Sequence, residues 1–121
     1  MMVPKFRAWN MPFGPKGPLQ EMVYGKASSI LAFAEMSPDK YIVEQYTGLK
    51  DANGREIYEG DIVRYTRWTD KVGIVEYIKP EFELRNIGAN FDISPTLSMK
   101  HEMKVIGNVH ENLELLGAQH D

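Results

Sequence analysis

Three carboxylates fall close together in the chain, Glu56, Glu59 and Asp61. A pair of carboxylates on one side of a strand could move a proton or hold a divalent cation. In an extended chain Glu59 and Asp61 share a face. Asp61 also follows Gly60 at a strand entry, where a short acidic side chain bonds local backbone N–H groups. A glycosidase-like pair needs a second carboxylate across a cleft, so the structural use of Asp61 is the better supported. His101–Glu102 and His110–Glu111 repeat one dipeptide nine residues apart, which is not the i, i+4 spacing that puts two imidazoles on one helix face. His120 lies in the tail. With no cysteine in the chain, thiolate metal sites, disulfides and a cysteine nucleophile are excluded, and no metal or cofactor is expected. Ser28, Ser29, Ser37, Ser94 and Ser98 lack a nucleophile signature, and the Thr47 hydroxyl beside Gly48 reads as a backbone partner. Gly14 and Gly17 are interrupted by prolines, which have no N–H to offer a phosphate. No residue is assigned a catalytic role, and the chain is expected not to be an enzyme.

Two sets of residues suit binding instead. Arg64, Arg67, Trp68 and Lys71, with Tyr65 among them, interleave cations with aromatics, a pattern that tracks phosphates and stacks bases. Arg64 and Trp68 share one strand parity, and Tyr65 and Arg67 the other, so one face cannot present them all. The structural alternative buries Tyr65 or Trp68 and lets the arginines snorkel outward. Met11, Phe13, Met22 and Tyr24 surround a Pro/Gly-rich loop. Surface methionines and aromatics favour protein interfaces, while core packing uses the same side chains.

The elements that must position these residues are mostly strands. The chain of 121 residues, 43% apolar and 26% charged, is the size of one domain with a real core, and is read as a single domain over 1–121. Alternation predicts strands at Lys5–Trp9, Met22–Tyr24, Tyr41–Thr47, Ile62–Trp68, Val72–Ile78, Glu81–Ile87 and Lys104–His110. Asn10–Leu19, with Pro12, Gly14, Pro15, Gly17 and Pro18, is a loop, and its Met11 and Phe13 can anchor it to a neighbouring surface. In Ser28–Met36, Ser28–Ser29 could cap a short helix, or Ser29–Phe33 is a buried strand; the short run and its strand neighbours favour the strand. Ser37–Lys40 is a turn. In Asp51–Gly54, Asn53–Gly54 supplies the positive-φ pair of a tight hairpin, across which Leu49 and Ile57 can meet. Thr69–Lys71 is a turn, Gly88–Pro95 a loop, and residues 118–121 fray. Glu111–Leu116 suits one helical turn or a short helix, stopped by Gly117. Such spacing indicates a mostly β fold, all-β or β-rich α+β. Gly73, in mid-strand between two Val/Ile-rich runs, allows the bulge or bend of a small SH3-like barrel.

Charge and targeting bound the partners. Net charge is −3, which disfavours a simple polyanion binder. Residues 1–26 carry +3 and residues 27–121 carry −6, so a head-to-tail contact between subunits is open beside a plainly solvated surface. The start lacks the apolar core of an export signal, and no apolar run approaches a membrane span. These features imply a reducing cytoplasm and no membrane.

The segment Gln45–Val63, QYTGLKDANGREIYEGDIV, resembles the hallmark motif of the YopX family, small proteins encoded by phages and prophages. KFRAW at 5–9, VGIVEY at 72–77 and VIGNVHENLELL at 105–116 are similar to its other elements, in the same order. The loop Met11–Leu19 departs from the polar, lysine-rich hairpin usual there. The resemblance implies a β-rich fold with a barrel-like part and residence in a bacterial host cell, and it implies no activity. The residues, with the phage or prophage origin that the resemblance implies, point to a non-enzymatic accessory protein that binds a host or phage protein or self-associates as a homo-oligomer. The alternative is a nucleic-acid binder using the basic and aromatic strand.

Overall fold

The computed structural model describes residues 4–67, 71–87 and 95–117. Trp68, the expected turn from Thr69, most of the loop Gly88–Pro95 and the tail with His120 lie outside them. The fold is mostly β. In chain order the elements are β1 (Phe6–Asn10), β2 (Glu21–Gly25), α1 (Ala27–Met36), a 3-10 turn (Pro38–Lys40), β3 (Tyr41–Lys50), β4 (Glu56–Tyr58), β5 (Asp61–Tyr65), β6 (Val72–Ile78), β7 (Glu81–Ile87), a second 3-10 stretch (Leu97–Glu102), β8 (Met103–Asn108) and α2 (Glu114–Gly117). One sheet has the order β2-β1-β3-β4 and the other β7-β6-β5-β8. The backbone packs as two compact units, Met1–Tyr46 and Thr47–Asp121. The first six residues of β3 belong to the first unit and its last four to the second.

In the first unit, β1 lies between β2 and β3, antiparallel to both. Ser28–Met36 is helical, not a strand. Ser28 and Ser29 sit inside its first turn; the N-cap is Lys26, with no side-chain cap bond. The helix is possible because its inward stripe is narrow: Ile30 is buried while Ala27 and Ala34, one turn to either side, are half-buried. The small Ala8 lies beneath it, and the Ile30 side chain rests over Gly25. Phe33 stacks on Tyr41 at 6.2 Å between ring centroids. The helix ends where the Ser37 N–H returns to the Phe33 carbonyl and Pro38 begins the next turn. On the opposite face Arg7, Tyr24 and Glu44 form one cross-strand row. The buried Arg7 donates from Nε to Glu44 Oε1 at 2.9 Å.

The second unit is half of a barrel. Ile57, Val63, Tyr65, Val75, Leu97, Met103 and Val105 form its interior, with Leu49 and Phe82 against them. Leu49 and Ile57, from the two sides of the β3–β4 turn, thus share this interior. The other face of the sheet carries Ile62, Val72, Ile74 and Ile87, covered by Leu115 and Leu116. Both faces are therefore buried over Asp61–Val63 of β5 and Val72–Val75 of β6, which explains the Val/Ile-rich composition there.

Gly73 makes no bulge. It keeps register with Val63 on one side and Asn86 on the other, and the irregularity lies between β5 and β8 at Ile62/Val63. The role of Gly73 is steric. A Cβ there would collide with the Tyr65 hydroxyl, which donates to Asn86 Oδ1. Burial of this phenol raises its pKa well above the ordinary range.

Two outcomes are expected. Gly73→Ala should destabilise by about 2 kcal/mol, as overpacking of a tight core does. Tyr65→Phe should relieve part of that loss, making the double variant less than additive in urea unfolding. The second outcome concerns alkali. The unfolded phenol loses its proton near pH 10 while the folded one keeps it. Stability should therefore fall as pH rises above about 10, and less steeply in Tyr65→Phe, read as unfolding midpoint against pH.

Candidate functional site

The segment richest in chemically capable side chains, Gln45–Val63, turns its polar groups onto its own backbone. Thr47 Oγ1 donates to the Ile57 carbonyl at 2.7 Å and accepts from the Leu49 N–H at 3.1 Å. Asp51 is 5% exposed. Its Oδ1 accepts the N–H groups of Asn53 and Arg55 at 2.8 and 2.9 Å. Its Oδ2 accepts the Val105 N–H at 2.8 Å, from β8. Beside it the Ala52 N–H donates to the Met103 carbonyl at 3.0 Å. The outer edge of β8 is thus closed by the 51–55 turn. Gly54 has φ +83, whereas Asn53 is not left-handed. The turn is held by the Asp51 carboxylate, not by a pair of positive-φ residues.

The acidic cluster is divided the same way. Gly60, at φ +87, separates β4 from β5, so Glu59 and Asp61 do not alternate along one extended strand and share no strand face. Asp61 is buried, and its Oδ2 accepts the Tyr58 N–H at 2.8 Å. Glu56 Oε1 accepts from the Tyr58 hydroxyl at 3.3 Å. The Gly60 N–H donates to the Val75 carbonyl, and its own carbonyl accepts the Val109 N–H. Among the described residues no three His, Asp or Glu side chains gather as a metal set, and no helix is long and apolar enough to cross a membrane.

The C-terminal segment is built on two asparagines. Asn108 Oδ1 accepts the N–H groups of His110 and Glu111, and Asn112 Oδ1 accepts the Asn108 N–H at 3.1 Å. Gly107 leaves the space the Asn112 side chain fills. This turn ends β8 at Asn108 and delays the helix to Glu114, so the segment forms the single helical turn, Glu114–Gly117, which includes Gly117 and leaves out residues 111–113.

The candidate binding residues divide. Tyr65 is buried in the half-barrel, while Arg64 is exposed beside its register partner Lys104. Arg67 lies beyond the end of β5 and donates to Glu102 Oε1 at 3.3 Å. Lys71 precedes β6 and is half-buried. Trp68 lies outside the described residues. Arg64 and Arg67 therefore do not line up on one strand. In the first unit, Met11 is buried and its N–H donates to the Lys40 carbonyl at 2.7 Å. Met22 is half-buried, and Phe13 and Tyr24 are exposed. The Pro/Gly-rich loop is ordered by Gln20, which accepts from Trp9 Nε1 at 2.8 Å and donates to the carbonyls of Pro15 and Gly17.

The YopX protein family model matches residues 16–117. The chain belongs to the YopX family. The match begins after β1, so KFRAW lies outside it. The YopX chain also superposes on the crystal structure of protein EF1440 from Enterococcus faecalis, with a TM-score of 0.59 and 26% sequence identity, over 96% of this chain and 99% of that one. No curated protein matches it. In this YopX protein the hallmark segment and the C-terminal signature are networks of side chains that cap backbone groups.

Three features of this network were not singled out from the sequence: Asp51, Asn108 and Asn112. Asp51 stands two residues before Asn53 in Asp-Ala-Asn-Gly, the spacing of an Asx turn, and that signal was available. The bond to Val105, fifty-four residues away, was not. Asp51→Ala should cost about 3 kcal/mol, because it strands the buried Val105 N–H and two turn amides. Asp51→Asn keeps one acceptor oxygen and should cost less. Urea unfolding of the two variants beside the wild type checks both the size and the order.

Proposed function

We propose that this chain is a non-enzymatic accessory protein of a phage or prophage, acting in the bacterial cytoplasm by binding protein through its first unit. The observation that carries this reading is the position of the apolar surface. Among the described residues Phe13, Leu19, Tyr24, Leu31, Phe33, Met36 and Ile42 are large apolar side chains at least 42% exposed, and all lie in Met1–Tyr46. The longer second unit contributes Tyr77, Ile78 and Leu113. Scattered apolar residues are ordinary on a surface; here Leu31, Phe33 and Met36 come from one helix, and apolar side chains gathered on one element mark a contact region.

The helix supports the same reading. α1 has the sequence ASSILAFAEM, with Glu35 its one charged residue, yet Ile30 is its one fully buried side chain. A helix with so little polar surface is normally covered. Leu19 adds a local cost: it is 75% exposed and holds φ +64, a left-handed conformation unfavourable for a branched side chain. The hallmark segment supports the absence of catalysis from the other side, since its Thr47, Asp51 and Asp61 are engaged with backbone.

Cross-linking through lysines in cells expressing the chain, followed by mass spectrometry, tests this function. Links to protein are expected from Lys16, Lys26 and Lys40 of the first unit. Links confined to the lysines of the second unit, or none, would contradict it.

A further inference from the structure

We infer that two copies of the chain pair through the outer edge of β7, antiparallel, with Leu84 on the two-fold axis. The inference goes beyond the first-unit reading above and uses residues of the second unit alone. β7 is the last strand of its sheet and is seven residues long. Glu81 closes a two-residue turn against Ile78, so Glu81, Glu83, Arg85 and Ile87 turn their backbone groups toward β6. The N–H and C=O groups of Phe82, Leu84 and Asn86 point away from it. Such an edge takes another strand unless charge or cover prevents it.

The charges on this edge select the occupant. Glu81, Glu83 and Arg85 are exposed and alternate onto one face of the sheet. Glu83 stands in register with Glu76, and like charges directly opposite are unfavourable. Arg85 donates from Nε to Glu76 Oε2 at 2.8 Å. Among the described residues its Nη groups and the Glu83 carboxylate have no polar partner. Each chain thus offers one unanswered carboxylate and one half-used guanidinium, two residues apart. Antiparallel self-pairing about Leu84 sets Glu83 directly opposite the partner's Arg85, twice per dimer. Residues directly opposite in an antiparallel pair share a face, and a two-fold axis normal to the sheet preserves it. An axis at Phe82, Glu83 or Arg85 would oppose like charges, as would parallel pairing in register.

The other face fits the same register. Phe82 and Leu84 are half-buried against the half-barrel interior. A cleft of about 430 Å³ lies between them and Pro95–Leu97, with Asn86 at one end. The Asn86 amide donates to the Pro95 carbonyl at 3.2 Å. With Leu84 on the axis, the partner's Phe82 comes opposite Asn86, where its ring fills the cleft, and the two Leu84 side chains meet. The product is one continuous eight-stranded sheet, with salt bridges across one face of the seam and apolar contacts across the other.

Light scattering after size exclusion should give twice the chain mass of 13.9 kDa. Glu83→Arg or Arg85→Glu alone should raise the dissociation constant about tenfold, because each turns two attractions into repulsions. The double exchange Glu83→Arg/Arg85→Glu should restore it. Within its own chain Glu83→Arg sets a cation opposite Glu76, so the thermal unfolding of the monomer should stay intact. Hydrogen exchange reads the register: the amides of Phe82, Leu84 and Asn86 should be slow in the wild-type dimer, and fast in Glu83→Arg at a concentration where it is monomeric. A monomer at every concentration, a dimer indifferent to both single variants, a double variant that stays weak, or fast exchange of those amides in the wild type would overturn the inference. None of these results alters the links expected from Lys16, Lys26 and Lys40, so the two readings fail separately.

Discussion

The second unit depends on one buried carboxylate. Asp51 accepts three backbone N–H groups, two inside its own turn and one from β8. A buried carboxylate is costly unless its oxygens are satisfied, and bonds from backbone donors to an ion are the stronger kind. By joining residues far apart in sequence, the contact fixes where the β3–β4 turn sits on β8. It also closes a strand edge that would otherwise be open to another chain. Ile57 and Leu49 are thereby held against the half-barrel interior.

The same logic extends through the family's hallmark segment. Thr47 ties the two arms of the β3–β4 hairpin, Asp61 caps the end of β4, and Gly60 passes the chain into β5. Asn108 and Asn112 do the corresponding work after β8. A long polar motif invites a catalytic interpretation. Here each of these polar side chains has a backbone partner, so a folding role accounts for its position.

Much of this was legible beforehand, and the failures have identifiable causes. β6 and β7 follow from alternation with their boundaries intact. Ser29–Phe33 reads as a strand because Ile30, Leu31 and Phe33 satisfy a strand pattern as well as a helical one. The deciding fact is that a helix needs only Ile30 and two alanines inward when Ala8 and Gly25 lie beneath. The role of Gly73 is not legible in its own strand because the Tyr65 hydroxyl above it comes from the neighbouring one. Interleaved Arg64, Tyr65 and Arg67 suggested a nucleic-acid strand, but Tyr65 is core and Arg67 lies past the strand end, paired with Glu102. Met11, offered as a contact residue, is buried; Phe13 and Tyr24 of the same group are exposed.

The protein thus separates its tasks by segment. Among the described residues, Thr47, Asp51, Asp61, Asn108 and Asn112 use their side chains internally, and the first unit holds seven of the ten exposed large apolar side chains. Native-state hydrogen exchange at the Val105 amide tests the foundation most directly, because its acceptor is the Asp51 side chain. If that bond organises the second unit, the amide exchanges only on global unfolding, as slowly as the core amides of β5 and β6. Exchange at the rate of a solvent-exposed edge amide would show that the carboxylate does not hold the unit together.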